Sequence, residues 1–139
     1  MSDIHLSGSC LCGSVAYEIR GELRQFNHCH CERCRKATGT GHATNIVMTP
    51  AKVEWTAGES LLSRYKVPEA KRFATVFCRE CGSLLPRIAP DNSIAVIPAG
   101  TLDEDPGIRP ERRIFQDSRA YWSCPADDVP AFDQYPPSS

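Results

Sequence analysis

Short stretches of alternating hydrophobic and polar residues recur along the chain. Between residues 14 and 20, Val15, Tyr17 and Ile19 alternate with smaller or polar residues. This period of two predicts a half-buried β-strand. Comparable patterns predict further strands over residues 25–29, 43–48, 53–55, 61–65, 71–77, 84–88 and 94–97.

Turn-forming residues separate these stretches. Gly21 and Glu22 predict a turn, Thr49-Pro50 predicts a break between two strands, and residues 89–92 predict the turn of a hairpin. One helical turn is predicted over residues 32–38, ended by glycines at 39 and 41. The pattern as a whole predicts a single, mainly β domain over residues 1–139.

Composition and charge exclude several classes of protein. A chain of 139 residues, 41% hydrophobic and 24% charged, is neither a disordered polar chain nor a membrane protein. No apolar run approaches the roughly 18 residues of a membrane span. The net charge of −1 argues against a nucleic-acid partner, which would require a broad basic surface.

Eight cysteines are the most informative feature of this composition. The N-terminus has neither the basic nor the apolar region of a secretion signal, so we expect a cytoplasmic protein with reduced thiols. Cysteines one or three positions apart can place two sulfurs on one zinc ion, whereas a disulfide between them is strained. A thiol–disulfide redox protein and scattered core cysteines are the alternatives.

The cysteines divide into groups in one of two ways. Cys10 and Cys12 form one pair, and Cys78 and Cys81 form another, each followed by a glycine. Together these pairs predict a closed four-cysteine zinc site, which is structural because no ligand position remains open. Cys124 is either free or a fourth ligand of the remaining group.

The remaining group is the triplet Cys29, Cys31 and Cys34. Three protein ligands with an open fourth position are the arrangement of catalytic zinc sites. Alternation directs the histidines at 28 and 30 away from the face that carries Cys29 and Cys31. A zinc ligand, or a hydrogen-bond donor to the ligands, is the alternative role of either histidine. The cations that follow the triplet offset its negative charge or bind the carboxylates of an anionic ligand; they are Arg33, Arg35 and Lys36.

These motifs, in this order, resemble the glutathione-dependent formaldehyde-activating enzyme family and the similar centromere protein V group. The resemblance rests on GSCLCG at 8–13, HCHCERCRKATG at 28–39 and FCRECGS at 77–83, and it extends to about residue 136 through Trp122 and DDVPAF at 127–132. It implies coiled antiparallel β-sheets, similar to those of methionine-R-sulfoxide reductases and zinc-binding Rab accessory proteins. It also implies two zinc ions per chain, one structural and one catalytic, in the groups described above.

The family's reaction joins glutathione to formaldehyde, so the resemblance implies a carbon–sulfur lyase acting on glutathione, or a similar thiol, and a small aldehyde. An open zinc position can bind the substrate thiol and lower its pKa. One departure concerns Arg113, which stands where the family often has a histidine. A zinc-stabilised binding module or a glutathione carrier without turnover is the alternative function, and the sequence leaves a homodimer open.

Overall fold

The computed structural model describes residues 3–123 and 128–137. Its helix α1 spans Glu32–Thr38, and short 3₁₀ helices span Glu59–Leu61, Ala99–Thr101 and Gln116–Ser118. Its strands are β1 (Asp3–Ser9), β2 (Ala16–Cys29), β3 (Ala43–Ala57), β4 (Leu62–Lys66), β5 (Ala74–Cys78), β6 (Leu84–Leu85), β7 (Arg87–Ile88), β8 (Ala95–Pro98) and β9 (Arg112–Ile114). The prediction of a mainly β protein is confirmed. Cys124 lies outside the described residues.

Two sheets make up the fold. The larger sheet has the order β1-β2-β3-β8-β7, and β9 pairs with β2. The smaller sheet has the order β4-β5-β6. Every pairing is antiparallel except that of β9, which runs parallel to the end of β2. The chain passes from the smaller sheet to the larger one between β6 and β7, at the buried Pro86.

The paired strands β2 and β3 are much longer than the pattern predicts, with 14 and 15 residues. The predicted turn at Gly21 is wrong, because Gly21 lies within β2 opposite Pro50, beside a β-bulge. A Cβ atom at Gly21 would lie 2.2 Å from the carbonyl oxygen of Thr49, so this glycine permits a close backbone approach. The predicted break at Thr49-Pro50 is also wrong, since β3 continues through it.

Other local predictions are confirmed. Helix α1 covers the predicted helical turn and ends at Gly39, whose left-handed backbone conformation glycine adopts without strain. The hairpin around residues 89–92 forms between β7 and β8. The first part of that predicted strand, Leu84–Leu85, instead pairs with β5 in the smaller sheet. Within the described residues, no helix is long and apolar enough to cross a membrane.

The main hydrophobic core lies against β2 and β3 and includes the fully buried side chains of Ile19, Ile46 and Ile97. Tyr17 is also buried, and its hydroxyl lies 2.7 Å from Oγ1 of Thr101. The Thr101 hydroxyl donates to the carbonyl oxygen of Pro98, so the Tyr17 hydroxyl is the donor between the two side chains. Burial raises the pKa of Tyr17 to about 12.

We expect Tyr17→Phe to lower the free energy of unfolding at pH 7 by about 1 kcal/mol, because the acceptor on Thr101 loses its partner. In the wild type, the raised pKa favours the neutral phenol in the folded state. This stabilisation is present below the unfolded pKa of about 10 and is lost as the pH rises towards 12. Tyr17→Phe is therefore expected to be less sensitive to alkali.

Urea unfolding at pH 7 and between pH 9 and 11 measures both effects. Tyr65→Phe is the matched control, because Tyr65 is 57% exposed. An equal alkaline loss of stability in wild type and Tyr17→Phe would contradict the prediction.

Candidate metal centres

The first cysteine cluster lies between the two sheets. Cys10 and Cys12 follow β1 in the larger sheet, whereas Cys78 ends β5 in the smaller one and Cys81 lies in the turn after it. Their four Sγ atoms all lie within 4.8 Å of one another. The Sγ of Cys12 is 3.6 Å from that of Cys10 and 3.9 Å from that of Cys78. A tetrahedral zinc ion with Zn–S bonds of about 2.3 Å separates its sulfurs by about 3.8 Å, so this cluster fits zinc.

Backbone N–H groups point towards these sulfurs. The N–H of Val15 lies 3.3 Å from Sγ of Cys10, and the N–H of Glu80 lies 3.4 Å from Sγ of Cys78. Both cysteine pairs turn at a glycine with φ of 79°, Gly13 in the first and Gly82 in the second. This left-handed conformation suits glycine and lets each loop close over its sulfurs.

Ser83 links the two cysteine loops. Its Oγ accepts a hydrogen bond from the N–H of Leu11 at 2.9 Å and lies 3.3 Å from Sγ of Cys81. Hydrogen bonds from the side chain and the backbone of Ser83 lower the pKa of Cys81 to about 5. The lowered pKa favours the thiolate of Cys81, the form that binds a metal.

Cys78 shows the opposite shift. The backbone N–H of Cys81 lowers the pKa of Cys78, but burial and the neighbouring thiols of Cys81 and Cys10 raise it to about 11 overall. A second negative charge among crowded sulfurs is unfavourable unless a cation offsets it. A cation bound among these sulfurs would stabilise all four thiolates together.

The second cysteine cluster is the triplet. Cys29 ends β2, Cys31 is the N-cap of α1, and Cys34 lies in the first turn of α1. The three Sγ atoms lie within 4.8 Å of one another. Sγ of Cys31 accepts a hydrogen bond from the N–H of Cys34 at 3.4 Å. Among the described residues the two clusters therefore hold four and three thiols. Whether Cys124 joins the triplet stays a prediction, because it lies outside those residues.

The pKa values of the three triplet thiols shift in different directions. Cys29 and Cys34 are buried, and burial raises the pKa of both thiols. Burial also acts to raise the pKa of Cys31, but the N–H and side chain of Cys34 outweigh it and lower the pKa overall. Because the pKa values of Cys29 and Cys34 are raised, the three thiols ionise together only beside a cation. Zinc suits this set of sulfur ligands.

A cavity of about 530 Å³ opens beside the triplet. All three triplet cysteines line it, together with the apolar side chains of Phe73 and Ile114. Phe73 and Ile114 also pack against the buried Cys29 and Cys34. The triplet thus forms part of a cavity wall, whereas the four-cysteine cluster lies beside the main core.

Cations around this cavity differ from those the sequence indicates. Arg33 lines the cavity, but Arg35 and Lys36 are not among the described residues that line it. Their predicted role in ligand binding stays a prediction. Arg87, on β7, lines the cavity although it lies far from the triplet in sequence.

Arg87 is half-buried, and burial followed by the nearby charge of Arg64 lowers its pKa. Among residues 3–123 and 128–137, no acidic side chain forms an ion pair with it. A partly desolvated guanidinium beside Cys34, without a carboxylate partner among the described residues, is suited to bind the carboxylate of a ligand. The sequence alone does not predict a role for Arg87. It is brought near the triplet only because the chain passes from the smaller sheet to the larger one before β7.

Asn27 is a second residue that the sequence analysis missed. It is 2% exposed and lines the cavity. Its Nδ2 donates to Oε1 of Gln25 at 2.7 Å, whereas its Oδ1 has no hydrogen-bond partner among the described residues. A buried amide oxygen without a partner costs free energy unless a ligand supplies a donor.

Phe115 forms part of the same wall in a strained backbone conformation. Its φ of 56° is in the left-handed region, which is rare for a bulky residue. It follows Ile114, which pairs with Cys29, and its side chain is 58% exposed at the cavity. Backbone strain of this kind is concentrated at functional sites.

The histidines form a separate group. The rings of His28 and His42 stack with their centroids 4.1 Å apart, and the ring of His30 lies 5.0 Å from that of His42. No histidine belongs to either cysteine cluster of the described residues. Burial, followed by the charges of His42 and Arg113, lowers the pKa of His28 and His30. Arg113 on β9 pairs with His28 on β2. The arginine that stands where the family often has a histidine therefore lies beside the strand that ends at Cys29.

The comparisons with known proteins agree with this architecture. A crystal structure of a Rhodobacter sphaeroides protein matches with a TM-score of 0.55 and 21% identity, covering 78% of this chain and 98% of that one, which shows a shared fold. No curated protein sequence matches the chain significantly. The sequence model of the glutathione-dependent formaldehyde-activating enzymes matches residues 5–118, which include both cysteine clusters and end before the C-terminal stretch at 122–132. The chain belongs to the glutathione-dependent formaldehyde-activating enzyme family.

Proposed function

We propose that this protein is a zinc-dependent enzyme that adds the thiol of glutathione to formaldehyde or another small aldehyde. The observation that carries the proposal is the convergence of Cys29, Cys31 and Cys34 on the wall of a cavity of about 530 Å³. That volume is in the range of cavities that bind small molecules. Family membership supplies the two reactants.

The two cysteine clusters have different roles in this proposal. Cys10, Cys12, Cys78 and Cys81 would hold a structural zinc ion that ties the sheets together. Cys29, Cys31 and Cys34 would hold a second zinc ion beside the cavity. When bound there, zinc supplies an open coordination position that lowers the pKa of a substrate thiol.

The chain's own residues bind and orient glutathione. Arg33 and Arg87 line the cavity, and their guanidinium groups can bind the two carboxylates of glutathione. The free Oδ1 of Asn27 can accept a hydrogen bond from the ammonium group or a peptide N–H. Phe73 and Ile114 exclude water from the side on which the thiol approaches the triplet.

The reaction needs no oxidant or reductant. The sulfur of glutathione forms a bond to the aldehyde carbon, the C=O π bond breaks, and the thiol proton ends on the former carbonyl oxygen. Because thiols add to formaldehyde unaided, the protein contributes by supplying thiolate at neutral pH and by holding the two reactants together.

Metal content and exchange kinetics together test the proposed function. We expect two zinc ions per reduced chain, of which one responds to glutathione in a titration followed by X-ray absorption. We also expect the exchange between formaldehyde and S-hydroxymethylglutathione, measured by two-dimensional NMR exchange, to be faster than without protein. Two zinc ions unaffected by glutathione and an unaltered exchange rate would identify a binding module instead.

Arg87→Met is expected to raise the KM for glutathione about 10- to 100-fold, with a smaller effect on kcat. A hydrogen bond to a charged group contributes about 1.5–3 kcal/mol, and Met replaces the unbranched stem of arginine without its charge or donors. Arg87→Lys should recover part of the affinity, since lysine retains the charge but not the paired donors.

Arg24→Met is the matched control for this series. Arg24 is exposed and donates to Oγ1 of Thr49, and it is not among the residues that line the cavity. An unchanged KM in Arg87→Met, with the triplet metal retained, would contradict the role of Arg87.

A further inference from the structure

A second cavity, of about 250 Å³, adjoins the cavity beside the triplet. Cys34, Phe73 and Arg87 line both, so the two spaces share a wall that includes one triplet cysteine. From there the second cavity extends between α1, β3 and β5, where Ala37 and Thr75 line it. A molecule held at Cys34 therefore lies beside two distinct spaces.

The lining of the second cavity is mostly apolar. Its hydrophobic residues come from five separate elements and include Ala37, Ala43, Val76, Leu84, Leu85 and Pro98. A water molecule needs two to four polar partners to be held well. Along the apolar part of this wall, water finds few such partners and is easily displaced. A ligand whose apolar group displaces that water binds more tightly.

The size of the second cavity exceeds what formaldehyde requires. A volume of 250 Å³ corresponds to about eight water molecules at their liquid volume of about 30 Å³ each. Formaldehyde has one carbon and one oxygen, so it fills a small part of this space. Glutathione, with two carboxylates and an ammonium group, suits the larger cavity with its arginines and Asn27. The apolar space is left for the other reactant.

We infer that the preferred aldehyde carries a medium-length alkyl or aryl group, which occupies the second cavity while its carbonyl reacts at the triplet. This inference rests on the proposed function. The sulfur of glutathione bonds to the carbonyl carbon, the C=O π bond breaks, and the thiol proton passes to the oxygen. The product is the hemithioacetal of glutathione with the longer aldehyde.

Binding of two stable thioethers tests the cavity without turnover. S-hexylglutathione and S-methylglutathione share the peptide and differ by five methylenes. One buried methylene raises affinity about fourfold. If half of the added chain is buried, S-hexylglutathione should bind the zinc-loaded chain about 30-fold more tightly in calorimetry. Equal affinities for the two thioethers would overturn the inference.

Ala37→Leu fills the second cavity from α1 and should reduce the advantage of the hexyl compound to about threefold or less. Ala37→Ser is the matched control, because it leaves the space open. Thr75→Leu fills the cavity from β5 instead. It provides an independent test if Ala37→Leu does not fold. Equal losses for both thioethers in the two filled variants would also overturn the inference.

Reaction rates distinguish failure of this inference from failure of the proposed function. We expect the protein to accelerate hemithioacetal formation from hexanal at least tenfold more than from formaldehyde, relative to the uncatalysed rates. Ala37→Leu should remove the acceleration with hexanal. Its acceleration with formaldehyde should stay within about twofold of the wild-type value. Acceleration with formaldehyde but not hexanal would overturn the inference alone. No acceleration with either aldehyde would overturn the proposed function as well.

Discussion

Replacing Cys12 by serine is expected to unfold the protein under conditions in which the wild type is stable. The Sγ atom of Cys12, in the loop after β1 of the larger sheet, lies 3.9 Å from that of Cys78, which ends β5 of the smaller sheet. A structural zinc ion contributes about 10–16 kcal/mol in small zinc domains, which matches or exceeds the usual 5–15 kcal/mol of a folded domain. Loss of one zinc ligand therefore removes most of the free energy that holds the two sheets together.

Near-ultraviolet circular dichroism and thermal unfolding measure this effect, with zinc content determined on the same sample. Leu11→Ala is the matched control, since Leu11 lies in the same loop with its side chain 86% exposed and contributes only its backbone N–H to Ser83. A cooperative transition for Cys12→Ser at the wild-type temperature would show that the four-cysteine cluster is not a structural metal site.

The second large effect is expected from Cys31→Ser. This variant should stay folded, retain one metal ion per chain and catalyse the reaction no faster than the uncatalysed rate. Cys31 is both a triplet thiol and the N-cap of α1, and the serine hydroxyl can replace its hydrogen bond from the N–H of Cys34. The change thus removes a metal ligand while the start of the helix is preserved.

Metal analysis, thermal unfolding and the exchange assay together measure the outcome of Cys31→Ser. The metal ion retained by the four-cysteine cluster serves as the internal control for sample quality. Full activity with a single metal ion per chain would separate the reaction from the triplet and leave the proposed mechanism without its site.

Features with purely local causes were predicted correctly from the sequence. The strand around Tyr17 shows its period of two within a few residues, and helix α1 ends at Gly39, where a left-handed residue stops it. The resemblance and the ligand count also grouped Cys10 with Cys78 across 68 residues, and their thiols do converge. Zinc needs four ligands, and few residue types supply them, so each pair of cysteines has few possible partners. The proximity of distant cysteines can therefore be predicted from their number and spacing.

Features that depend on a distant strand were not predicted. Gly21 and Pro50 are turn formers in most sequences, yet here they face each other at a bulge between two long strands. Glycine at that position permits the approach of another backbone, whose presence a local pattern does not reveal. The same holds for Arg87, which reaches the triplet through sheet pairing rather than through sequence proximity.

The amino-acid sequence by itself determined the mainly β class, the two sets of thiols and the family, because each depends on residue types at short, regular spacings. Only the tertiary structure decided that Arg87 and Asn27, rather than Lys36, line the cavity at the triplet, and that an apolar space adjoins it. Cavities are enclosed by side chains from several strands and one helix. Their shape and charge therefore arise from how those elements pack, which no single segment of the chain encodes.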